Sequence, residues 1–344
     1  MQLFIDTYGT YIHVKDEMFE IRVRKDGQVQ KHHYSARKVS HLMITLGTAI
    51  SSDAVKLAVD HNIDILFADR NGSPVGRVWH SKLGSTSTIR KEQLMASMNK
   101  TGLEWIKTWV SQKINNQIDF IKDLKKHRQE QHEFLDEKIS ALEEKTKSIT
   151  ELEAESVSEV ADRIRGIEGT CGRLYFATLS AVLPKKHQFD GRSARPASDP
   201  FNAFLNYAYG ILYSKIEKAL IVAGIDPYIG FLHRDNYNQV SFVFDYIEPY
   251  RIFAEKVVFR LFSGKKVKNE HTEEITNGCS LNKAGKELLV PAFNKYMDED
   301  KIRYKNKNQT RSNIIQGDAH AFANSLIKNK KPETEANDFP FQNQ

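Results

Sequence analysis

Three residues close together in the sequence could share one site: His233, Asp245 and Glu248, spread over the sixteen residues HRDNYNQVSFVFDYIE. A fourth, Glu168, stands sixty-five residues upstream of His233 in RIRGIEGTCGRLYF, with Gly166 and Gly169 around it and Gly172 following. One imidazole nitrogen with carboxylate oxygens is a hard donor set that suits magnesium or manganese better than structural zinc. An ion with one to three protein ligands keeps positions for water and phosphate oxygens, which metal-assisted phosphoryl transfer needs. Each residue also has a plainer reading. Acids in a first helical turn complement the helix dipole, a turn histidine can bond to backbone, and Glu168 can be a surface acid on a loose helical turn. The spacing alone does not choose between them.

The elements around these residues must position them. Asp245 and Glu248, three apart, share a face if a helix starts near Phe244 or Asp245 and runs on through RIFAEKVVFRLF. Pro249 is compatible with that helix as long as it lies in the first turn. Three glycines in the seven residues from Gly166 weaken a helix by about 1 kcal/mol each relative to alanine, so a close approach to that backbone is expected.

Further out, the first ninety residues read as β-rich. LFIDTYGTYIHV and EMFEIRVRKDGQVQKHHY alternate with period two, and Asp-Gly in RKDGQV signals a hairpin turn. SSDAVKLAVDHN opens on serine caps and reads as one helix, followed by two strands across the Asn-Gly of IDILFADRNGSPVGRVWH. Ile106, Val110, Ile114, Ile118 and Ile121 then mark an amphipathic helix. Residues 122–155 are densely charged, lack Gly and Pro, and read as an extended helical hairpin. The remainder alternates helical segments with Pro/Gly breaks. The expected architecture is α+β in two domains: a small β-rich domain over 1–87 and a larger all-α domain over 88–330, with a disordered tail over 331–344.

Composition sets outer limits. The 344 residues suffice for two domains, and 40% hydrophobic with 27% charged residues describes a soluble globular chain. No apolar run approaches the roughly 20 residues of a membrane helix, and the alternating N-terminus is unlike a signal peptide. Cys171 and Cys279 form no CxxC pair, so a reducing cytoplasm is the expected compartment. The net charge of +6 suits a polyanion, and its distribution is more telling than its size. KIRYKNKNQTR, residues 301–311, carries Lys301, Arg303 and Lys305 among Tyr, Asn and Gln without an acid. Such a run is either a solvated loop or a contact for a phosphate backbone.

Several stretches together resemble the CRISPR-associated integrase family, the universal first Cas protein of spacer acquisition. GIEGTCGRLYF is similar to that family's Gly-Ile-Glu-Gly block, with Cys171 and Gly172 where small aliphatic residues are commoner. GRSARPASDPFNAFLNYAYGILYSKIEKALIVAGIDPYIGFLH resembles the block that ends in its metal-binding histidine, and SFVFDYIEPYR its Asp-x-x-Glu-Pro-Phe-Arg helix start. AISSDAVKLAVDHNIDILFADRNGSPVGRV is similar to its N-terminal strand–helix–strand pattern, so the likeness runs through nearly the whole chain in order. The charged segment 122–155 does not align.

The resemblance implies metal ligands at Glu168, His233 and Glu248, with Asp245 as the supporting acid that also matters for activity. It places Tyr213 near the reacting DNA and has Arg173 following the metal glutamate. It implies a divalent-metal-dependent DNA endonuclease and integrase, using Mg2+ or Mn2+, in which a protospacer 3′-hydroxyl attacks a phosphodiester at the repeat boundary. The implied partners are double-stranded DNA, a second copy in a homodimer, and the second CRISPR-associated adaptation protein in a heterohexamer. Lys301, Arg303 and Lys305 would then hold DNA backbone. Two other readings use the same residues: a hydrolytic metal-dependent nuclease outside adaptation, and a non-catalytic DNA-binding scaffold.

Overall fold

The structure is a computed structural model; it describes residues 2–25, 27–39, 41–61, 63–68, 74–78, 86–194, 196–233 and 239–328. The expected tail over 331–344 lies outside them, as do the turns at Asp26 and around Asn71–Gly72. The chain divides into two compact units, Met1–Gly84 and Ser85–Gln344.

Among the described residues, the first unit holds two four-stranded sheets. One has the order β1 (Gln2–Ile5), β5 (His41–Thr45), β7 (Asp64–Ala68) and β8 (Pro74–Val78). Its first three strands run parallel and β8 is antiparallel. The other has the order β4 (Gln28–Ser35), β3 (Met18–Lys25), β2 (Tyr11–Lys15) and β6 (Ala49–Ile50). The β2–β3 hairpin closes through Asp16 and Glu17, both at positive φ (51° and 56°), the mirror-image turn that matches strand twist. Helix α1 (Ser52–Asp60) starts at Ser51, whose side chain accepts from the Ala54 N–H, and buries Ala54 and Ala58. One core draws Leu3, Ile5, Ile12, Phe19, Ile21, Leu42, Ile44 and Ile65 from both sheets.

Glu20 breaks the apolar pattern of β3. It is fully buried between its cross-strand partners His13 and His33, whose Nε2 atoms lie 2.8 Å from its two oxygens, and Arg22 Nε donates at 2.6 Å. These partners, Arg22 foremost, hold the Glu20 pKa down to about 2.

The second unit is mostly helical: α2 (Thr86–Ser97), α3 (Lys100–Lys125), α4 (His132–Thr150), α5 (Val157–Val182), α6 (Pro200–Val222), α7 (Ser241–Tyr246), α8 (Arg251–Ser263), α9 (Lys283–Asn294) and α10 (Arg311–Ile327). Where helices throughout were expected, two short hairpins intervene, β9–β10 (Thr272–Ile275, Gly278–Leu281) and β11–β12 (Lys301–Tyr304, Lys307–Thr310). The segment KIRYKNKNQT forms the second of these, turning through Lys305 and Asn306, both at positive φ. Helix α3 carries the stripe from Ile106 to Ile121 but is buried well beyond it, Ser111, Asn116 and Gln117 included. It is a central helix, with its C-terminal half and α4 forming the charged hairpin. There Leu135, Ile139 and Leu142 face inward while Lys122–Glu143 and Lys125–Asp136 pair outside. Trp109 of α3 stacks among Phe231, Phe242, Tyr246 and Phe322, joining α3, α7, α10 and the loop before His233.

A depressed carboxylate pKa stabilises the fold at pH above the ordinary value of 4.5, and that contribution disappears as pH falls towards about 2. Glu20→Gln is therefore expected to melt below the parent at neutral pH. The gap should close between about pH 4.5 and pH 2 in melts followed by circular dichroism; a gap independent of pH would contradict the ion-pair account.

Candidate active site

Glu168 lies in the middle of α5, an uninterrupted helix despite its three glycines. A Cβ added at Gly166 or Gly172 would meet nothing within 4 Å, and one at Gly169 would meet only the tip of Arg173. Among the described residues nothing packs closely on this backbone, so the glycines leave open space beside Glu168.

Asp245 and Glu248 do not share one helix. Asp245 sits in the six-residue α7, a separate short turn of 3-10 helix spans Glu248–Tyr250, and α8 begins at Arg251. Pro249 lies at the start of that turn and has no N–H to give to the Asp245 carbonyl, and the two acids have different neighbours.

Asp245 faces the loop that precedes it. Its Oδ2 accepts from the backbone N–H of Phe231 (2.5 Å) and Leu232 (3.1 Å), and its Oδ1 from the N–H of His233 (3.1 Å). Oδ1 also lies 2.6 Å from His233 Nδ1. Burial pushes the Asp245 pKa up, and His233 and the N–H groups pull it back. Burial works against charge on His233 as well, but the bond to Asp245 and the charges of Asp245, Glu248 and Glu168 raise its pKa overall. With both Asp245 oxygens occupied and Nδ1 committed to one of them, Asp245 holds the loop and the His233 ring in place. Nε2 is the His233 ring nitrogen that Asp245 does not engage.

Glu248 is 3% exposed, and charge compensation keeps it ionised. Burial opposes its charge, yet Arg251 and Lys113 hold its carboxyl well below the usual range. Arg251 Nε donates to Oε1 at 2.7 Å. Lys113 Nζ stands 2.6 Å from Oε2, so each oxygen of this buried carboxylate faces a cation. The same ammonium is 2.5 Å from Glu168 Oε1. Burial disfavours the Lys113 charge, and the two glutamates outweigh it and raise its pKa above the ordinary value. Nothing in the sequence reading pointed to Lys113; the available signal was a lysine one helical turn from Trp109 and from Gln117, on an arc of α3 that is otherwise buried.

Neighbouring elements hold these groups in place. Gln93 of α2 donates to the carbonyls of Asp226 (2.9 Å) and Ile229 (3.0 Å) and accepts from the Asp226 N–H (2.9 Å). Arg165 donates to the Leu232 carbonyl (3.0 Å), and Asn116 to that of Pro249 (2.7 Å). Gly230 leaves no room for a methyl, which would lie 2.4 Å from the His233 carbonyl oxygen.

Among the residues expected to face DNA, Tyr213 is the nearest to the acids: its hydroxyl accepts from Arg251 Nη1 at 3.2 Å. Arg173 is exposed on α5, its Nη2 3.2 Å from the Thr170 hydroxyl. Lys301 and Arg303 occupy the solvent face of β11, with Ile302 and Tyr304 turned inward. Lys305 is not simply solvated, because Nζ pairs with Asp318 at 3.2 Å. Tyr304 and Tyr250 also donate to Asp318, at 2.7 and 3.1 Å, which ties the hairpin to the turn carrying Glu248.

The donor chemistry suits a divalent ion. Two carboxylates aim at one point already held by a cation, and an oriented imidazole lies within reach of their charge. Among the described residues, however, no three His, Cys, Asp or Glu side chains are gathered closely enough to hold an ion where they now stand, and Lys113 is the group between the two glutamates.

Comparison with known proteins gives consistent matches. The profile of the family described as CRISPR associated protein Cas1 matches residues 3–295. The CRISPR-associated endonuclease Cas1 1 of Archaeoglobus fulgidus is 33% identical over 326 residues, covering 92% of this chain and 93% of the relative. Among solved structures, a casposase bound to integration product superposes with a TM-score of 0.79 at 20% identity, covering 100% of this chain and 95% of that one. A chain of the Cas6-RT-Cas1–Cas2 complex does so with a TM-score of 0.73 at 20% identity, over 96% of this chain and 35% of that one. At that identity the two structures speak to the fold alone.

Asp245→Asn keeps the shape of the side chain but turns an amide N–H towards groups that are themselves donors. The expected cost is about 2 kcal/mol in urea unfolding. No change in stability would mean that Asp245 does not hold this loop.

Proposed function

Because the chain belongs to the Cas1 family of CRISPR-associated proteins, we propose that it is a DNA integrase and endonuclease of CRISPR adaptation, dependent on Mg2+ or Mn2+. The observation that carries the proposal is the convergence of Glu168 and Glu248 on one cationic point, beside an imidazole whose Nδ1 is fixed by Asp245. Glu168, Glu248 and His233 Nε2 would hold the ion. When bound, it would polarise the phosphate and stabilise the charge that builds on it.

The chain supplies no covalent nucleophile to the reaction, since the DNA brings its own. The 3′-hydroxyl oxygen of captured DNA forms a new bond to the phosphorus at the repeat boundary. The bond from that phosphorus to the repeat strand's 3′-oxygen breaks, and the proton of the attacking hydroxyl ends on this leaving oxygen through solvent. Arg251 fixes Glu248 and Tyr213 together, leaving Tyr213 at the edge of the acidic pair. The space over Gly166 and Gly172 gives a sugar–phosphate strand room beside Glu168. Lys301 and Arg303 present a basic ribbon for sequence-independent backbone contact, and Lys305 shares its charge with Asp318.

The names of the solved relatives support DNA and a Cas2 protein as partners, in a heterohexamer built on homodimers of this chain. A cytoplasmic location follows from that role. Among the described residues no helix is long and apolar enough to cross a membrane.

A pre-cut duplex with free 3′-hydroxyls, incubated with a repeat-bearing plasmid, the cognate Cas2 protein and Mn2+, should give joined products. Chelation should abolish them, and Glu168→Gln and Glu248→Gln should each lower the rate by about 1,000-fold while duplex binding persists. Cleavage without joining would instead support a hydrolytic nuclease, and unchanged activity in both variants a scaffold in which the acids are structural. In a second measurement, Lys301→Ala combined with Arg303→Ala should reduce the slope of log affinity against log salt by about 1.8. An unchanged slope would place the DNA on another surface.

A further inference from the structure

The carboxylate pair is already occupied by one of the protein's own charges. Lys113 Nζ lies 2.5 Å from Glu168 Oε1 and 2.6 Å from Glu248 Oε2, so it fills the point on which both oxygens converge. Its side chain is only 11% exposed, and Glu248 is 3% exposed, so solvent does little to shield either charge. With Arg251 on the far oxygen of Glu248, the cluster holds two acids and two bases and is already balanced. A divalent ion bound by the same two oxygens would sit about 2 Å from each, in the space the ammonium takes up. Two cations cannot share that space in a weakly solvated site. The lysine stem is long and flexible enough to withdraw without a backbone change.

We propose that Lys113 is the resident counter-cation of the Glu168–Glu248 pair, holding the two carboxylates in register until a divalent ion displaces it, and thereby setting the affinity of the site for that ion. The inference rests on the metal-binding reading of the site given above. Lys113 is a positioning residue here, acting through the two glutamates. Its binding and that of the ion are mutually exclusive, so each weakens the other by the same factor. A protein without this lysine has two facing carboxylates and no internal competitor. It should be less stable when metal-free and bind the ion more tightly. A purely structural ion pair, left in place when metal binds, predicts no gain in affinity.

The test is a titration of Mn2+ into the full-length protein, with free Mn2+ read by its electron paramagnetic resonance signal. It compares the parent chain with K113M, K113Q, K113R and E248Q. K113M and K113Q are expected to bind Mn2+ about tenfold more tightly than the parent. Their metal-free forms should melt lower and gain more on Mn2+ addition, whereas K113R, which keeps the charge, should stay close to the parent. Equal or weaker binding by K113M and K113Q, beside a parent that binds normally, would overturn the exchange. Should K113M fail to fold, K113Q alone decides. A parent that binds Mn2+ no better than E248Q would overturn the metal-binding reading itself, a separate and recognisable outcome.

Discussion

A carboxylate buried as deeply as Glu248 stays ionised only if positive charge is buried with it, and much of the helical unit is arranged to meet that requirement. Arg251 arrives from the first turn of α8 and Lys113 from the middle of α3. Removing one partner of such a group typically costs about 3–5 kcal/mol, because the remaining charge is stranded away from water. Helices α3, α5 and α8 therefore cannot shift independently of one another around the 3-10 turn at Glu248. The Asn116 bond to the Pro249 carbonyl fixes the same turn through backbone.

The histidine arm of the site is held by different means. The loop before His233 is anchored by hydrogen bonds from Gln93, Arg165 and Asp245, and its Phe231 enters the aromatic group around Trp109. The two glutamates and the histidine thus sit on separate supports, one of ion pairs and one of hydrogen bonds and aromatic packing, that meet along α3. Trp109 and Lys113 are one helical turn apart on that helix, so a single rigid element sets the spacing between the two halves.

The residue types at Glu168, His233 and Glu248 allowed metal chemistry without selecting it over plainer readings; the likeness of whole blocks to one family singled these three out. The strand alternation of residues 2–35 and the stripe from Ile106 to Ile121 made the two-part architecture legible. What could not be read was orientation. The i, i+3 spacing of Asp245 and Glu248 presumed one continuous helix, whereas the helix stops at Tyr246 and a 3-10 turn carries Glu248, and an acid's role depends on which donors surround it. Lys113 escaped notice because its importance comes from two acids 55 and 135 positions away, a distance no local period reports. The hairpin at Lys301–Thr310 was hidden because its turn uses Lys305 and Asn306 at positive φ, without the glycine that usually announces such a turn.

Asp245 takes up three successive backbone N–H groups and the His233 ring with one carboxylate. The course of the backbone from Phe231 to His233 and the aim of the imidazole are therefore set by the same two oxygens. No substitution at position 245 can alter one without the other, so the ring inherits its direction from the loop that carries it.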